Sequence, residues 1–254
     1  MAETVHGLLE QARDIACEAG RLTLEWFRSA NLAVDHKLDG TEVTAADRAG
    51  ERLIRERIST AFPHDAILGE EEGGRLVPGR RTWVIDPIDG TRGFARGVPL
   101  YSTLLALVDD QGPIVGVIDV PALGMTMAAG RGEGCWLGDH RSRVSDHPRL
   151  AGALVNTSGF ETFHDTGFAA LRDGGSMLRT WGDAFGYLMV ASGQAEAMVD
   201  PVCSTWDLAP MPVIISEAGG RFTDLDGRES FTSGNGLATN GRMHDEMLTL
   251  MRRG

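Results

Sequence analysis

Trp83-Val84-Ile85-Asp86-Pro87-Ile88-Asp89-Gly90-Thr91 is the stretch on which the rest of the chain depends. Its apolar and aromatic run reads as a buried strand, and that strand delivers two aspartates separated by only two residues. The Gly-Thr step after them is a place where a helix can begin. A strand end bearing two carboxylates beside a free helix N-terminus can hold a divalent cation and a phosphate together. The neighbouring segments matter for whether they complete such a site.

Upstream, Thr44-Ala45-Ala46-Asp47 opens a helix whose apolar positions are Ala49, Leu53, Ile54 and Ile58, with Thr44 as its cap and Asp39-Gly40 as the turn before it. Asp47 falls in the first turn, where a carboxylate is ordinarily a partner of the helix dipole. Ile67-Leu68-Gly69-Glu70-Glu71-Glu72 follows. Acidic runs usually line solvated surface. Here the apolar pair and the glycine leave a second reading open, with Glu70 projecting from a buried strand end. Gly73 to Arg81 reads as a flexible basic loop. Nearer the N-terminus, Leu8, Leu9, Ala12, Ile15, Ala16, Ala19, Leu22, Trp26 and Phe27 recur at the spacing of one long amphipathic helix that packs a core.

Downstream, Tyr101 to Val108, Ile114 to Val120 and Met125 to Ala129 are strand-like, with Asp109-Asp110-Gln111-Gly112-Pro113 and Pro121-Ala122-Leu123-Gly124 as hairpin punctuation. Cys135 reads as packed. The composition turns polar around Arg141 to Arg149, which places a boundary there. Residues 1–146 form an N-terminal α+β subdomain with the main metal motifs, and 147–254 a C-terminal α/β subdomain that completes the site. In the second part, strands at Ala153 to Asn156 and Ala195 to Val199 alternate with helices at Phe168 to Leu171, Ala184 to Ala191 and Leu208 to Ala218, and a last helix runs from Arg242 to Met251. This is α/β layering. Asp207 stands at a helix start, where N-capping is its ordinary role.

The net charge of −12 excludes a broad nucleic-acid surface, since phosphate backbones select basic faces. Cys17, Cys135 and Cys203 are far apart and suggest neither zinc nor a disulfide framework. The N-terminus is acidic where a signal peptide is basic, and no apolar run spans a bilayer. A soluble cytoplasmic protein is expected, with no membrane partner.

Gly69-Glu70-Glu71, Asp86-Pro87-Ile88-Asp89-Gly90-Thr91, Trp206-Asp207 and Glu217-Ala218-Gly219-Gly220, in this order and at these separations, resemble the inositol monophosphatase superfamily over nearly the whole chain. The resemblance implies a layered α-β-α-β-α sandwich and a homodimeric phosphomonoesterase using two or three magnesium ions. It places Glu70, Asp86 and the Ile88 carbonyl on the first ion, and Asp86, Asp89 and Asp207 on the second. It makes Thr91 with Asp47 the water-activating pair, with Glu70 also near that water. Oxygen ligands suit a hard cation, and the backbone N–H groups of Gly90 and Thr91 suit the phosphate. Direct attack by water is expected, since no Cys or His sits in a nucleophile motif.

The substrate is a small phosphate ester, and Thr180-Trp181-Gly182-Asp183-Ala184-Phe185-Gly186-Tyr187 bears on which one. Polyol enzymes of the superfamily carry a small or hydroxyl residue where Asp183 stands, and commonly a glutamate where Asp200 stands. Two anionic groups complement an ammonium and an imidazole. With Asp200-Pro201 and the tail Gly234 to Gly241, these features resemble the histidinol-phosphatase branch. Helix capping by Asp183 and a turn role for Asp200 stay open as structural readings. The alternatives are an inositol-1-phosphate or broad-specificity polyol phosphatase and, in a different class, an inactive metal- or phosphate-binding regulatory module.

Overall fold

Residues 3–30, 32–37, 40–163 and 165–251 are described by a computed structural model. The chain begins with α1 (Val5–Thr23), the hairpin of β1 (Val34–His36) and β2 (Glu42–Thr44), and α2 (Ala45–Ala61). β3 (Ala66–Gly69), β4 (Gly73–Gly74) and β5 (Thr82–Asp89) lead into the short α3 (Thr91–Ala95). A meander follows, made of β6 (Ser102–Asp109), β7 (Gly112–Val120), β8 (Met125–Gly130), β9 (Gly134–Leu137) and β10 (His140–Arg141). Then come β11 (Leu154–Asn156), α4 (Asp165–Asp173), β12 (Met177–Arg179), α5 (Asp183–Ala191) and β13 (Ala197–Asp200). The last elements are α6 (Thr205–Leu208), α7 (Met211–Glu217), β14 (Arg221–Thr223), β15 (Gly236–Thr239) and α8 (His244–Met251).

The larger sheet has eight strands in the order β10-β9-β8-β7-β6-β5-β3-β4, antiparallel except where β3 runs parallel to β5. The smaller has five, β12-β11-β13-β15-β14, with β11 parallel to both neighbours. Alternation along each strand sends neighbouring side chains into different cores. Trp83, Ile85, Leu105, Leu107, Val115 and Val117 meet Leu8, Ala12 and Ile15 of α1 and Ile54 and Ile58 of α2. Leu104, Ile118 and Val120 face the other way, onto Leu188 of α5 and Ile214 and Ile215 of α7, where Met198 and Phe222 of the smaller sheet also pack. The far face of that sheet, with Val155, Val199 and Leu237, is covered by Leu171 of α4 and Met247 and Leu248 of α8. The result is the expected α-β-α-β-α layering. Contact between layers is close at Gly116 of β7, where a Cβ would lie 2.7 Å from the Pro210 carbonyl oxygen.

Several elements differ from expectation for physical reasons. The first helix ends at Thr23, because Phe27 leaves the helical path to pack on Tyr101 and Phe94, with ring centroids 5.1 and 5.8 Å away. The helix expected over Leu208 to Ala218 is two helices, broken at Pro210, which has no N–H to continue the first. Gly73 and Gly74 pair with β3 as a short strand, and Arg80 and Arg81 after them are tied down. Arg80 reaches the His64 carbonyl, and Arg81 pairs with Glu3 and Asp65 at 2.6 and 2.9 Å. Cys135 is buried, as expected. Of the turn expected at Asp39-Gly40, Asp39 lies outside the described residues; Gly40 has φ +86° and donates its N–H to the Lys37 carbonyl.

His244 shows how the outer layer responds to acid. It is 1% exposed, and its ring nitrogens lie 2.9 and 3.0 Å from the Thr223 and Thr239 hydroxyls. Burial, reinforced by Arg221, pushes its pKa down from 6.5 to about 4. The unfolded chain therefore takes up this proton first. The stabilising contribution is complete above the unfolded value and is lost as pH falls from there through the folded value. Between pH 7 and pH 4, urea unfolding should show the wild type losing roughly 2 kcal/mol more than His244→Gln. Equal losses would contradict this account.

Candidate active site

In an unbroken strand, residues three apart point to opposite faces. Asp86 and Asp89 nevertheless share a face, because β5 gains a residue over β6 between them: Asp86 pairs with Leu104 and Asp89 with Ser102. The bulge falls at Pro87-Ile88, where proline has no ladder donor to lose. The Ile88 N–H donates to Asp86 Oδ1 at 3.0 Å, and the Thr103 hydroxyl donates to the Pro87 carbonyl at 2.9 Å. Asp207 arrives from α6, whose capping box it closes by accepting the Ser204 N–H through Oδ2 at 2.8 Å. Its place is thus the third helical residue, with Ser204 as the cap. One oxygen from each of Asp86, Asp89 and Asp207 lies within 4.8 Å of the other two.

These carboxylates oppose one another. Burial, then the charges of Glu70, Asp89 and Asp207, raise the pKa of Asp86 well above the carboxylate range. Burial, then Asp183 and Asp207, do the same to Asp89. Asp207 is pushed up to about 7, by burial first and by Glu70 and Asp200 among its neighbours. A divalent cation relieves that repulsion directly. The donors are all oxygens, with the Ile88 carbonyl beside them accepting from Thr91 Oγ1 at 2.9 Å, so the set fits a hard ion such as magnesium.

Two further groups of residues frame the cluster. Asp47, fully buried, accepts the Thr44 N–H and hydroxyl at 2.8 and 2.6 Å through one oxygen, and the Thr91 hydroxyl at 3.1 Å through the other. Its capping-box role and its contact with Thr91 therefore use different atoms. Glu70 follows β3 at the sheet edge, close enough for its charge to act on Asp86 and Asp207. Its carboxylate meets Lys37 Nζ at 2.7 Å, and Glu71 meets the same ammonium at 2.7 Å. Burial pushes Glu71 up to about 7 in spite of Lys37. Beneath this turn, Glu51 accepts the N–H groups of Glu71 and Glu72 at 2.7 and 3.0 Å and pairs with Arg55 at 2.7 Å.

On the other wall, Asp89 Oδ2 accepts the Ala184 N–H at 2.6 Å and the Ser102 hydroxyl at 3.1 Å. The α5 terminus is thereby satisfied by Asp89 across the layers, and Asp183 is not its cap. Gly182 is the cap residue, and Asp183 is the first helical residue, held at φ +51°. That unfavourable backbone is fixed by the Ser158 hydroxyl, which accepts the Asp183 N–H at 2.9 Å, and by Gly182, where a Cβ would lie 2.3 Å from Ser158 Cα. Gly90, at φ +83°, turns β5 into α3. A Cβ there would lie 2.9 Å from Asp183 Oδ2, so the Asp183 carboxylate overhangs the Gly90-Thr91 turn. Burial and the charge of Asp200 push Asp183 up to about 6 against the pull of Arg92. Asp200 is 2% exposed and accepts the Ser158 N–H through Oδ1 at 3.0 Å.

Of the residues expected at the site, Asp89, Asp183, Asp200 and Asp207 line one cavity, and Asp86 clusters with Asp89 and Asp207. Asp47 and the Ile88 carbonyl meet at Thr91, Gly90 lies under Asp183, and Glu70 stands beside them on Lys37. Sequence reasoning did not single out Lys37, Glu51, Ser102 or Ser158, which position them. Each is a common residue type in an unremarkable local pattern, and only its long-range partner marks it.

A five-layer fold with this carboxylate cluster at the end of its larger sheet is that of the inositol monophosphatase family. The chain belongs to that family, whose model matches residues 5–253. It is 39% identical to the histidinol-phosphatase of Mycobacterium tuberculosis, over 98% of this chain and 99% of the relative. With the histidinol-phosphatase of Streptomyces coelicolor it shares 40% identity over 94% and 95% of the two chains. Among solved structures, the extragenic suppressor protein SuhB of Bartonella henselae superposes with a TM-score of 0.89 at 27% identity, covering 97% of this chain and 99% of that one.

Glu51 offers a test of how the Glu70 turn is held. Glu51→Ala leaves the N–H groups of Glu71 and Glu72 without their acceptor and removes the buried carboxylate that pairs with Arg55. Urea unfolding should show a loss of roughly 3 kcal/mol, against less than about 1 kcal/mol for Glu10→Ala, whose ion pair with Arg13 lies at the surface. A Glu51 variant as stable as the Glu10 variant would show that the turn stands without this carboxylate.

Proposed function

We propose that this protein is a magnesium-dependent phosphomonoesterase that hydrolyses L-histidinol phosphate to L-histidinol and inorganic phosphate, a step of histidine biosynthesis. The observation that carries the substrate is the pair Asp183 and Asp200. Both carboxylates lie in the wall of the cavity that also contains Asp89 and Asp207. Histidinol phosphate brings an ammonium and an imidazole to that wall, whereas a polyol brings no charge. The histidinol-phosphatase relatives support the same assignment.

Asp86, Asp89 and Asp207, with Glu70 and the Ile88 carbonyl, would hold the metal. Magnesium bound there supplies positive charge for the phosphate oxygens, a water of lowered pKa and stabilisation of the departing alkoxide. The chain's own residues orient the reaction. The single Thr91 hydroxyl proton lies between Asp47 and the Ile88 carbonyl, 3.1 and 2.9 Å away; donated to Asp47, it leaves the oxygen's lone pairs to accept from the attacking water and aim it at phosphorus. Asp47 takes up that water's proton through Thr91. Glu70 borders the same water, and the backbone N–H groups of Gly90 and Thr91 grip the phosphate. Cys203 lines the cavity, but burial and the charges of Asp200, Asp207 and Asp89 raise its pKa well above the thiol range. It remains a thiol, which leaves water as the nucleophile.

At equal magnesium, kcat/KM should be at least roughly ten-fold higher for histidinol phosphate than for inositol 1-phosphate, the worth of about 1.4 kcal/mol of charge recognition. A preference for the inositol ester would remove the substrate assignment. Turnover by Asp86→Asn equal to wild type would remove the reaction itself. Magnesium should also raise the melting temperature of the wild type, since it binds only the folded state, and should raise that of Asp86→Asn much less. Equal shifts would place the metal elsewhere.

A further inference from the structure

Tyr187 stands one helical turn after Asp183 on α5, so both side chains leave the same face of the helix. Its ring is 2% exposed and packs beside Phe222, with centroids 6.3 Å apart. Its hydroxyl oxygen is buried and has no hydrogen bond of normal geometry among the described residues, with the Asp200 carboxylate placed to take its proton. An unpartnered buried hydroxyl costs about 1–3 kcal/mol, and phenylalanine would fill the same space without that cost. Packing therefore does not account for the oxygen.

The surroundings make room for it. Gly236 of β15 is the register partner of Asp200 on β13, and a Cβ at Gly236 would come to 3.0 Å from both the Tyr187 hydroxyl and Leu208 Cδ2. Gly236 does not have a positive φ, so glycine serves there for space and not for backbone freedom. Asp200 is the charged group that acts most strongly on the phenol, and its Oδ1 is already occupied by the Ser158 N–H. Tyr187 and Asp200 line the same cavity as Asp183.

We propose that the Tyr187 hydroxyl is a specificity-determining group for the leaving group: it turns its proton toward Asp200 and presents its lone pair to a nitrogen-bound proton of the substrate. This rests on the substrate class proposed above. With the phenol proton turned inward, Asp200 and Tyr187 together offer acceptors only. Ammonium and imidazolium groups are donors only and match that wall, while a polyol hydroxyl brings lone pairs that find no donor.

Steady-state kinetics of Tyr187→Phe in the full chain at saturating magnesium test this, with histidinol phosphate and glycerol 2-phosphate as substrates and L-histidinol binding measured by calorimetry. The kcat/KM ratio between the two esters should fall about ten-fold. That loss should lie in KM for histidinol phosphate, and L-histidinol should bind correspondingly more weakly. An unchanged ratio, or equal losses on both esters, overturns the role of Tyr187 while the wild-type preference for histidinol phosphate stands. A wild type that does not prefer histidinol phosphate overturns the substrate assignment, and this role with it.

Discussion

One extra residue in β5 is the constraint on which the site depends. Without the bulge at Pro87-Ile88, Asp86 and Asp89 would project from opposite faces of the larger sheet, one of them into an apolar core. With it, both carboxylates gather at one strand end, and the Ile88 carbonyl accompanies them. The mutual repulsion of these groups is what a bound cation would relieve. Burial alone would favour protonated acids, and a bound cation makes the charged forms tenable.

Acidic residues also tie the layers to one another. Asp89 accepts the Ala184 N–H at the start of α5, so an acidic residue of the larger sheet satisfies a helix terminus of the middle layer. Asp207 uses one oxygen to close the α6 capping box and leaves the other for the cluster. Glu217 works at the opposite end of α7, where it accepts the N–H groups of Gly132 and Gly134 at 2.7 and 2.8 Å and holds the β8–β9 turn. Several acidic motif residues are therefore bound into the layering itself.

Much of this was legible in local pattern. Apolar runs in 101–129 separated by hairpin punctuation announced the meander, and Thr44 announced the start of α2, because a cap is a property of a few consecutive residues. Helix ends were less legible. Trp26 and Phe27 continue the apolar periodicity of α1, yet packing against Tyr101 and Phe94 is worth more to Phe27 than another helical turn. Asp183 was readable as a cap because short acids before helical runs usually are. The structure gives that work to Asp89, ninety-five residues before Ala184 in sequence, and holds Asp183 in a left-handed backbone conformation.

The sequence by itself determined the class of fold, the order of its elements and the identity of the acidic groups, since periodicity, caps and the Asp-Pro-Ile-Asp-Gly-Thr string are written in neighbouring residues. The tertiary structure decided which of those groups share a space and what surrounds them. Lys37 between Glu70 and Glu71, Glu51 beneath the Glu70 turn, Ser158 behind Asp183 and Asp200, and Tyr187 in the gap left by Gly236 are all contacts between distant segments. No local pattern encodes them, because burial and hydrogen-bond partnership are set only when the layers close on one another.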